Sequence, residues 1–338
     1  MVDLDYGKKI SNRNNSIDIF RFVCAIMVVM IHTNPFVDKN IYLGYIFSQI
    51  IPRLAVPFFF LTSGYFYIQK LLNGEQCFKR FFLNLLKVYV LWTMVYYIID
   101  LIIFAKNGGD FLNLLGDFVI NFFIFGSHYH FWFFPALFFS IIVATIAYKI
   151  NIFKQIAYLS IVLYIIGLLG CSYYYLGIKI PLISTIIQLD VFELIRRICL
   201  MGFSFFMLGY FISKISNRVR VSVSHIFIAV VFFIIEIVLV NIFSLQKNII
   251  ITIGLYVMLM IIFCYFIQHP LSSCSNIAIF CKKSANFIYY VHPINIMLIQ
   301  LIFNFSNAVV FLLTICLSIF EGIIIIKLDN NGLKKLMG

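Results

Sequence analysis

Long runs of apolar residues, separated by short polar stretches, make up almost the whole chain. A bilayer core is spanned by about 20 consecutive apolar residues in a helix, and ten runs reach or approach this length. The pattern therefore predicts an all-α, polytopic integral membrane protein with about ten transmembrane helices. We place them at residues 17–36, 47–69, 82–105, 130–149, 155–172, 196–213, 224–243, 249–268, 284–304 and 307–327.

Two segments between these helices lack the pattern of a spanning helix. Residues 110–126 are apolar but interrupted by an acidic residue and a glycine, so we expect an interfacial or re-entrant piece. Residues 173–195 open with three tyrosines and should form a loop at the membrane surface, where aromatic residues collect. Because no repeat or soluble appendage is evident, we interpret 1–338 as one transmembrane domain, with its helical bundle at about 16–327.

Composition supports the membrane assignment and explains the charge. Hydrophobic residues make up 63% of the chain and charged residues 11%, whereas a soluble domain has roughly twice that charged fraction. The net charge of +12 would suggest nucleic acid in a soluble protein. With the N-terminus in the cytoplasm, however, sixteen of the 25 Lys and Arg face the inside and four the outside. We therefore expect both termini in the cytoplasm, the lipid bilayer as partner and no nucleic acid.

Arg21 and His32 lie within the first predicted helix, where an ionisable group costs at least about 2.5–3.5 kcal/mol. Eleven residues turn a helix to within about 20° of three full turns, so the two side chains share one face, about 16 Å apart along the axis. His32 suits a general base, because its ordinary pKa is near neutrality. The alternative is that Arg21 extends to the lipid headgroups and His32 bonds a neighbouring helix.

Two further histidine motifs mark candidate site residues. His130 and Trp132 belong to a run of five ring-bearing residues, 128–132, at the start of the fourth predicted helix. They form either an aromatic belt or the rim of a binding site. His292 precedes Pro293 inside the ninth predicted helix, where proline disrupts backbone bonding. His292 therefore either satisfies freed carbonyls or lines a polar cavity.

Cations at helix ends give further candidates. Arg53 lies between two prolines of the second predicted helix, and Ser63 belongs to a small-residue stretch near its end that allows close backbone approach. Lys79, Arg80 and Lys87 line the start of the third and suit phosphate groups, although such cations also serve as topology anchors. Because metal-binding, P-loop and hydrolase-elbow motifs are absent, we expect neither a metal site nor nucleotide hydrolysis.

Several of these motifs, taken in order, resemble the acyltransferase family 3 membrane proteins, which have about ten transmembrane helices. The similarity extends over residues 16 to 327. It is carried by Arg21 and His32 with the preceding residues 16–20, by 53–65, by 78–80, by 130–133 and by 289–293.

The resemblance implies an O-acetyltransferase of the bacterial cytoplasmic membrane. Family members move an acyl group, usually acetyl, from cytoplasmic acyl-CoA to a hydroxyl of a cell-surface glycan or lipid-linked glycan. Acyl-CoA would be a co-substrate and no cofactor would stay bound. We expect the phosphates of acyl-CoA near Lys79, Arg80 and Lys87, and the acceptor beside His130, Trp132, His292, Arg53 and Ser63. Arg21 and His32 match the residues that the family needs for activity, and the resemblance leaves open whether His32 is a base or carries the acyl group. Lys87 stands where the family pattern has Arg, which weakens bidentate phosphate contact there.

Other interpretations fit the same residues. Intramembrane charges and kinked helices also suit a transporter or flippase of a glycan intermediate or small solute, and a non-catalytic sensor or scaffold is a third interpretation. The motifs are also similar to the membrane halves of serine racemases linked to vancomycin resistance. Those proteins carry a soluble racemase domain, which residues 1–338 do not contain, so we expect no racemase activity. The oligomeric state is open, a homo-oligomer included.

Overall fold

A computed structural model describes residues 14–108, 111–272 and 275–327, without the side chains of 107, 111–114 and 275. All regular structure in these ranges is helical, which confirms the all-α class. We number the long helices of this part α1 (Asn15–Thr33), α2 (Ile41–Leu72), α3 (Phe78–Asn107), α4 (Phe111–Ile120), α5 (Phe133–Lys149), α6 (Phe153–Gly170), α7 (Phe192–Ile215), α8 (Val223–Ile242), α9 (Ile253–Gln268), α10 (Ser275–Ile302) and α11 (Asn307–Lys327).

Eight of these helices are long and apolar enough to cross a bilayer: α1, α2, α3, α6, α7, α8, α10 and α11. The chain is thus a multi-pass membrane protein. The fourth and eighth predicted helices are α5 and α9, which are apolar but have only 17 and 16 residues. The total of ten crossings and the cytoplasmic position of the termini therefore stay predictions.

The predicted start of the fourth helix at residue 130 is wrong, because α5 begins at Phe133. Gly126 has a φ of 91°, and a Cβ there would lie 2.3 Å from the backbone nitrogen of Trp132. The chain therefore folds back closely on itself between these two residues, which only glycine permits. As a result, His128 and His130 lie in a compact loop ahead of α5 instead of on it.

The eighth helix also begins later than predicted, at Ile253 instead of residue 249. The Thr252 side chain caps α9 by accepting the N–H of Leu255 at 3.1 Å. The Glu236 carboxylate of α8 accepts the N–H of Ile253 and the hydroxyl of Tyr173, both at 2.8 Å. A negative charge is favoured at a helix N-terminus, so this buried acid has a structural role.

Three other segments differ from expectation. The predicted loop 173–195 contains two short helices, Tyr174–Gly177 and Pro181–Ile187, and the first turn of α7. Within the segment 110–126, residues 111–125 are helical, since α4 continues as a π-helical turn, and the depth of this segment in the membrane stays a prediction. Finally, α10 starts about nine residues before the predicted helix, which places Lys282 on a helix instead of in a loop.

Close packing of α1 along α10, and of α2 along α7, forms the centre of the bundle. A Cβ on Gly64 of α2 would lie 2.0 Å from the carbonyl oxygen of Phe206 on α7. One on Gly209 would lie 2.4 Å from the backbone nitrogen of Tyr65. The close backbone approach predicted for this part of α2 is therefore confirmed.

Candidate functional site

Two cavities open between the helices that carry the candidate residues. We call the larger one, of about 440 Å³, the Arg21 cavity, and the other, of about 280 Å³, the His32 cavity. The rings of Phe133 and Tyr289 line both, with their centroids 5.9 Å apart. The two cavities thus share this aromatic pair as a common wall.

In the Arg21 cavity, the arginine is held by α10. Its Nη2 donates to the side-chain oxygen of Asn286 at 3.0 Å, while its Nε is buried without a hydrogen-bond partner in the described part of the chain. Lys70, Lys282 and Asp18 line the same space. Three cations and one acid therefore face this cavity, and Arg21 is fixed between helices instead of extending to the lipid headgroups.

His32 belongs to a histidine cluster together with His128, His130 and His292. The His292 ring centroid is 5.2 Å from that of His32 and 5.2 Å from that of His130. His128 and His130 are linked by their Nδ1 atoms at 3.2 Å, and Tyr129 lies 4.9 Å from His32. A third cavity, of about 410 Å³, is lined by His128 and Tyr129. The structure thus brings together the three histidines predicted from three distant motifs.

The backbone around Pro293 fixes the orientation of His292. Proline has no N–H for the Tyr289 carbonyl one turn earlier, and His292 Nδ1 lies 2.9 Å from that oxygen and 3.0 Å from the Ile288 oxygen. Both neighbours are acceptors, so Nδ1 carries the hydrogen. Nε2 is then a buried acceptor without a partner among the described residues. His292 therefore satisfies backbone carbonyls near Pro293 through Nδ1, while its basic Nε2 stays available for another role.

Burial keeps the loop histidines neutral. Desolvation lowers the pKa of His128 to about 4. The pKa of His130 is lowered well below its usual value, first by desolvation and then by His292 and His128. Two neutral imidazoles can share one hydrogen between their Nδ1 atoms. Among the described residues, no group of three or more His, Cys, Asp or Glu side chains is arranged to hold a metal ion.

Three arginines face the His32 cavity. Glu193 accepts from Arg196 through both carboxylate oxygens, with Arg196 Nε at 2.8 Å, and from Arg197 Nε at 3.0 Å. Arg53 instead donates its Nε to the Gln49 carbonyl oxygen at 3.0 Å and its Nη2 to the Gln49 side chain. The cavity wall thus carries three guanidinium groups and one carboxylate.

The structure separates some residues that the sequence grouped. Trp132 lines the His32 cavity, whereas Ser63, which we predict on the same acceptor side, lines the Arg21 cavity. Ser63 follows Arg53 by ten residues, about 15 Å along a helix, which accounts for the difference. Lys79, Arg80 and Lys87 are exposed on α3 and line none of the three cavities formed by the described residues. The structure therefore does not bring these three cations to the candidate site.

Sequence reasoning missed other residues of the site. Lys282 of α10 precedes the predicted start of that helix at residue 284, and Lys70 follows the predicted end of the second helix at residue 69, so neither was expected at a site between helices. Asn286 lies within the predicted helix but carries no charge that would mark it. Arg196 and Arg197 are also absent from the residues predicted for the site. Their spacing of three and four residues after Glu193 is the signal that indicates an ion-paired helical face.

Comparison with known proteins gives two kinds of relatives. The family described as acyltransferase domain matches residues 14–327. Two amino-acid racemases of Enterococcus faecalis are 34% identical over 179 residues and 32% identical over 214 residues, which cover 51% and 61% of this chain. A serine/alanine racemase of Enterococcus gallinarum is 33% identical over 183 residues, or 50% of this chain. The matches cover only 25%, 29% and 25% of these relatives. No solved structure matches the chain.

Proposed function

The chain belongs to this acyltransferase family, and from that premise we propose that it transfers an acetyl group from cytoplasmic acyl-CoA to a hydroxyl of an extracytoplasmic cell-surface glycan. One observation carries the proposal. A single helix, α1, presents Arg21 to one cavity and His32 to the other, and the same two rings, Phe133 and Tyr289, border both cavities. A reaction that draws its two substrates from opposite sides of a membrane needs two such approaches to one centre.

The Arg21 cavity suits the donor. Acyl-CoA carries several phosphate charges, and Arg21, Lys70 and Lys282 supply positive charge at this cavity. Lys79 and Arg80 lie one turn ahead of cavity-lining residues of α3, so they would contact phosphates outside the cavity. The acyl thioester would then extend toward the aromatic pair that borders the His32 cavity.

The His32 cavity suits the acceptor and the chemistry. In direct transfer, the acceptor hydroxyl oxygen attacks the thioester carbonyl, the new C–O bond forms, and the C–S bond breaks. His32 takes the hydroxyl proton, which finally protonates the leaving thiolate of CoA. General base catalysis of this kind contributes about 10²- to 10⁴-fold. In the relay version, a His32 nitrogen first attacks the thioester carbonyl, the C–S bond breaks, and CoA leaves as the thiolate. The acceptor hydroxyl then attacks the acyl-imidazole, the C–N bond breaks, and the hydroxyl proton finally protonates the thiolate.

Acceptor acetylation tests this function. In a strain lacking the native gene, mass spectrometry of the cell-surface glycans should show acetylation restored by wild type and lost with His32→Ala. His225→Ala is the matched control, because His225 is exposed and lines none of the described cavities. Full acetylation with His32→Ala, at equal protein level, would exclude the proposed mechanism.

The second candidate is a transporter, favoured by the same two cavities with their shared aromatic wall. Two Enterococcus relatives are named as amino-acid racemases and the third as a serine/alanine racemase, so serine and alanine are the solutes to test. Purified protein that fails to bind acetyl-CoA at millimolar concentration, but moves labelled serine or alanine into proteoliposomes, would replace the acyltransferase proposal with this one.

A further inference from the structure

We propose that the His32 cavity binds a phosphate group carried by the acceptor, through Arg53, Arg196 and Arg197. The inference rests on the proposed function only where it calls this ligand the acceptor. Binding of a phosphate ester in this cavity can be measured without acyl-CoA.

The charges on the cavity wall indicate an anionic ligand. Glu193 is already bonded to Arg196 and Arg197, and Arg53 has only the neutral Gln49 as its hydrogen-bond partner among the described residues. Arg196 is 5% exposed, so this charge lies largely out of water. Three guanidinium groups against one carboxylate leave about two positive charges uncompensated, which is costly in a partly buried site.

Phosphate matches this excess better than a carboxylate does. A phosphate monoester carries about two negative charges at neutral pH, whereas a carboxylate carries one. The planar guanidinium also presents its N–H groups in a fork that bonds two phosphate oxygens at once. Arg53, whose charge faces no acid, is thus the group that gains most from the ligand.

His130 supplies an independent sign of a ligand. The side chain is 3% exposed and lines the cavity, but its Nε2 has no hydrogen-bond partner in the described part of the chain. Its Nδ1 is 3.2 Å from His128 Nδ1. If His128 donates this hydrogen, the single proton of neutral His130 lies on Nε2 and is available to a phosphate oxygen.

The size of the cavity limits what enters it. About 280 Å³ is at the lower end for small-molecule sites and admits one sugar unit with its substituent. Trp132 offers a ring face on the wall, with the Arg197 guanidinium 5.8 Å from its centroid. A phosphorylated sugar and a phospholipid headgroup share the required chemistry, and the experiment separates these two sources.

The two tryptophans of the chain, Trp92 and Trp132, allow a direct binding assay. In Trp92→Phe, the fluorescence comes from Trp132 alone, on the cavity wall. The full chain is purified in a polyoxyethylene detergent, which contains neither phosphate nor sugar, and titrated with glucose 1-phosphate, glucuronate and glucose. In a separate arm, phosphatidylglycerol is added to the micelles.

Glucose 1-phosphate should change the Trp132 signal saturably, at concentrations at least tenfold below any effect of glucuronate or glucose. Adding Arg53→Gln should raise its Kd at least tenfold, and Arg197→Gln should do the same. Arg220→Gln, which removes an exposed charge away from the cavities, should leave the Kd unchanged. A signal change with phosphatidylglycerol that Arg53→Gln abolishes assigns the same phosphate site to a lipid headgroup.

Equal affinity for glucuronate and glucose 1-phosphate would overturn the assignment to phosphate. Equal affinity for glucose would overturn the anion site altogether, as would an unchanged Kd in both arginine variants. Thermal unfolding of each variant shows whether it is folded, and if Arg53→Gln is not, Arg197→Gln decides. Wild-type protein that binds glucose 1-phosphate but acetylates no cell-surface glycan would count against the proposed function and leave the phosphate site in place.

Discussion

Arg21 and His32 share one face of α1, and the folded chain directs them into two different cavities. Arg21 is bonded to Asn286, whereas His32 lies among other aromatic rings. A fixed cation and an imidazole with free space beside it have different chemical uses. The first suits a constant charge on a substrate, and the second suits a proton or a group that moves.

His128 should contribute to a loss of folding stability at acidic pH. Its pKa is about 4 in the folded chain and about 6.5 when unfolded. Between these values the unfolded state binds about one more proton at this site, so stability falls as pH is lowered from about 6.5 to 4. His128→Gln should therefore reduce the drop in unfolding temperature between pH 7 and pH 4.5. His225→Gln, an exposed control, should not, and equal drops in both variants would contradict the assignment.

For single residues, the sequence predicts which side chains share a helix face, but it does not predict their contacts with distant parts of the chain. The eleven-residue spacing predicted that Arg21 and His32 share a face. The contacts of His32 with His292 and Tyr129 join positions about a hundred residues or more apart, and no local pattern encodes such distances. The same limit explains why Asn286 was missed as the partner of Arg21.

At the scale of elements, the contact between α2 and α7 is the most demanding packing in the bundle. Gly64 lies against the Phe206 carbonyl, and backbone atoms cannot move aside as a flexible side chain can. The sequence indicated the small residues of α2, but not which helix would approach them. The start of α5 is harder to predict from the sequence, because the loop before it is held by a distant residue. The Tyr289 hydroxyl donates a hydrogen bond to the His130 carbonyl oxygen at 2.6 Å.

Gly64→Ala should lower the free energy of unfolding by about 3 kcal/mol or more, since overpacking typically costs 1–3 kcal/mol and here the obstacle is backbone. Gly116→Ala is the matched control, because a Cβ there meets no atom within 4 Å. It should be neutral or stabilise by up to about 1 kcal/mol. Thermal unfolding in detergent compares the two. Similar unfolding temperatures for both variants would show that α2 and α7 are not in close contact.

At the scale of the molecule, the charge distribution predicts an orientation that composition alone does not. If the chain crosses the membrane ten times, most Lys and Arg lie on one side, whereas only eight helices in the described part of the chain are long enough to cross. The difference rests on α5 and α9. Both helices are short because the residues before them form a loop or a helix cap. The pattern of apolar residues continues through these residues and therefore does not show where the helix begins.

Alkaline phosphatase fusions, which are active only outside the cytoplasm, test both crossings. Fusions after Gly126 and Lys247 should be active, and fusions after Asn151 and Leu271 should be inactive. Fusions to green fluorescent protein at the same sites should give the opposite pattern. The same result on the two sides of α5 or of α9 would remove that helix from the set of crossings, and a fluorescent reporter at the C-terminus should report a cytoplasmic end.

The aromatic pair Phe133 and Tyr289 also has an electrical consequence. If water fills both cavities and they open to opposite sides of the membrane, the insulating layer between the two sides shrinks from about 30 Å to the wall that these rings form. Most of the membrane voltage then falls across them. In the proposed transfer, the acyl group leaves the sulfur for the acceptor oxygen while a proton leaves that oxygen for the sulfur, so the two movements through this voltage cancel in charge. The completed reaction would therefore be independent of the energised state of the cell, although it joins substrates from the two sides of the membrane.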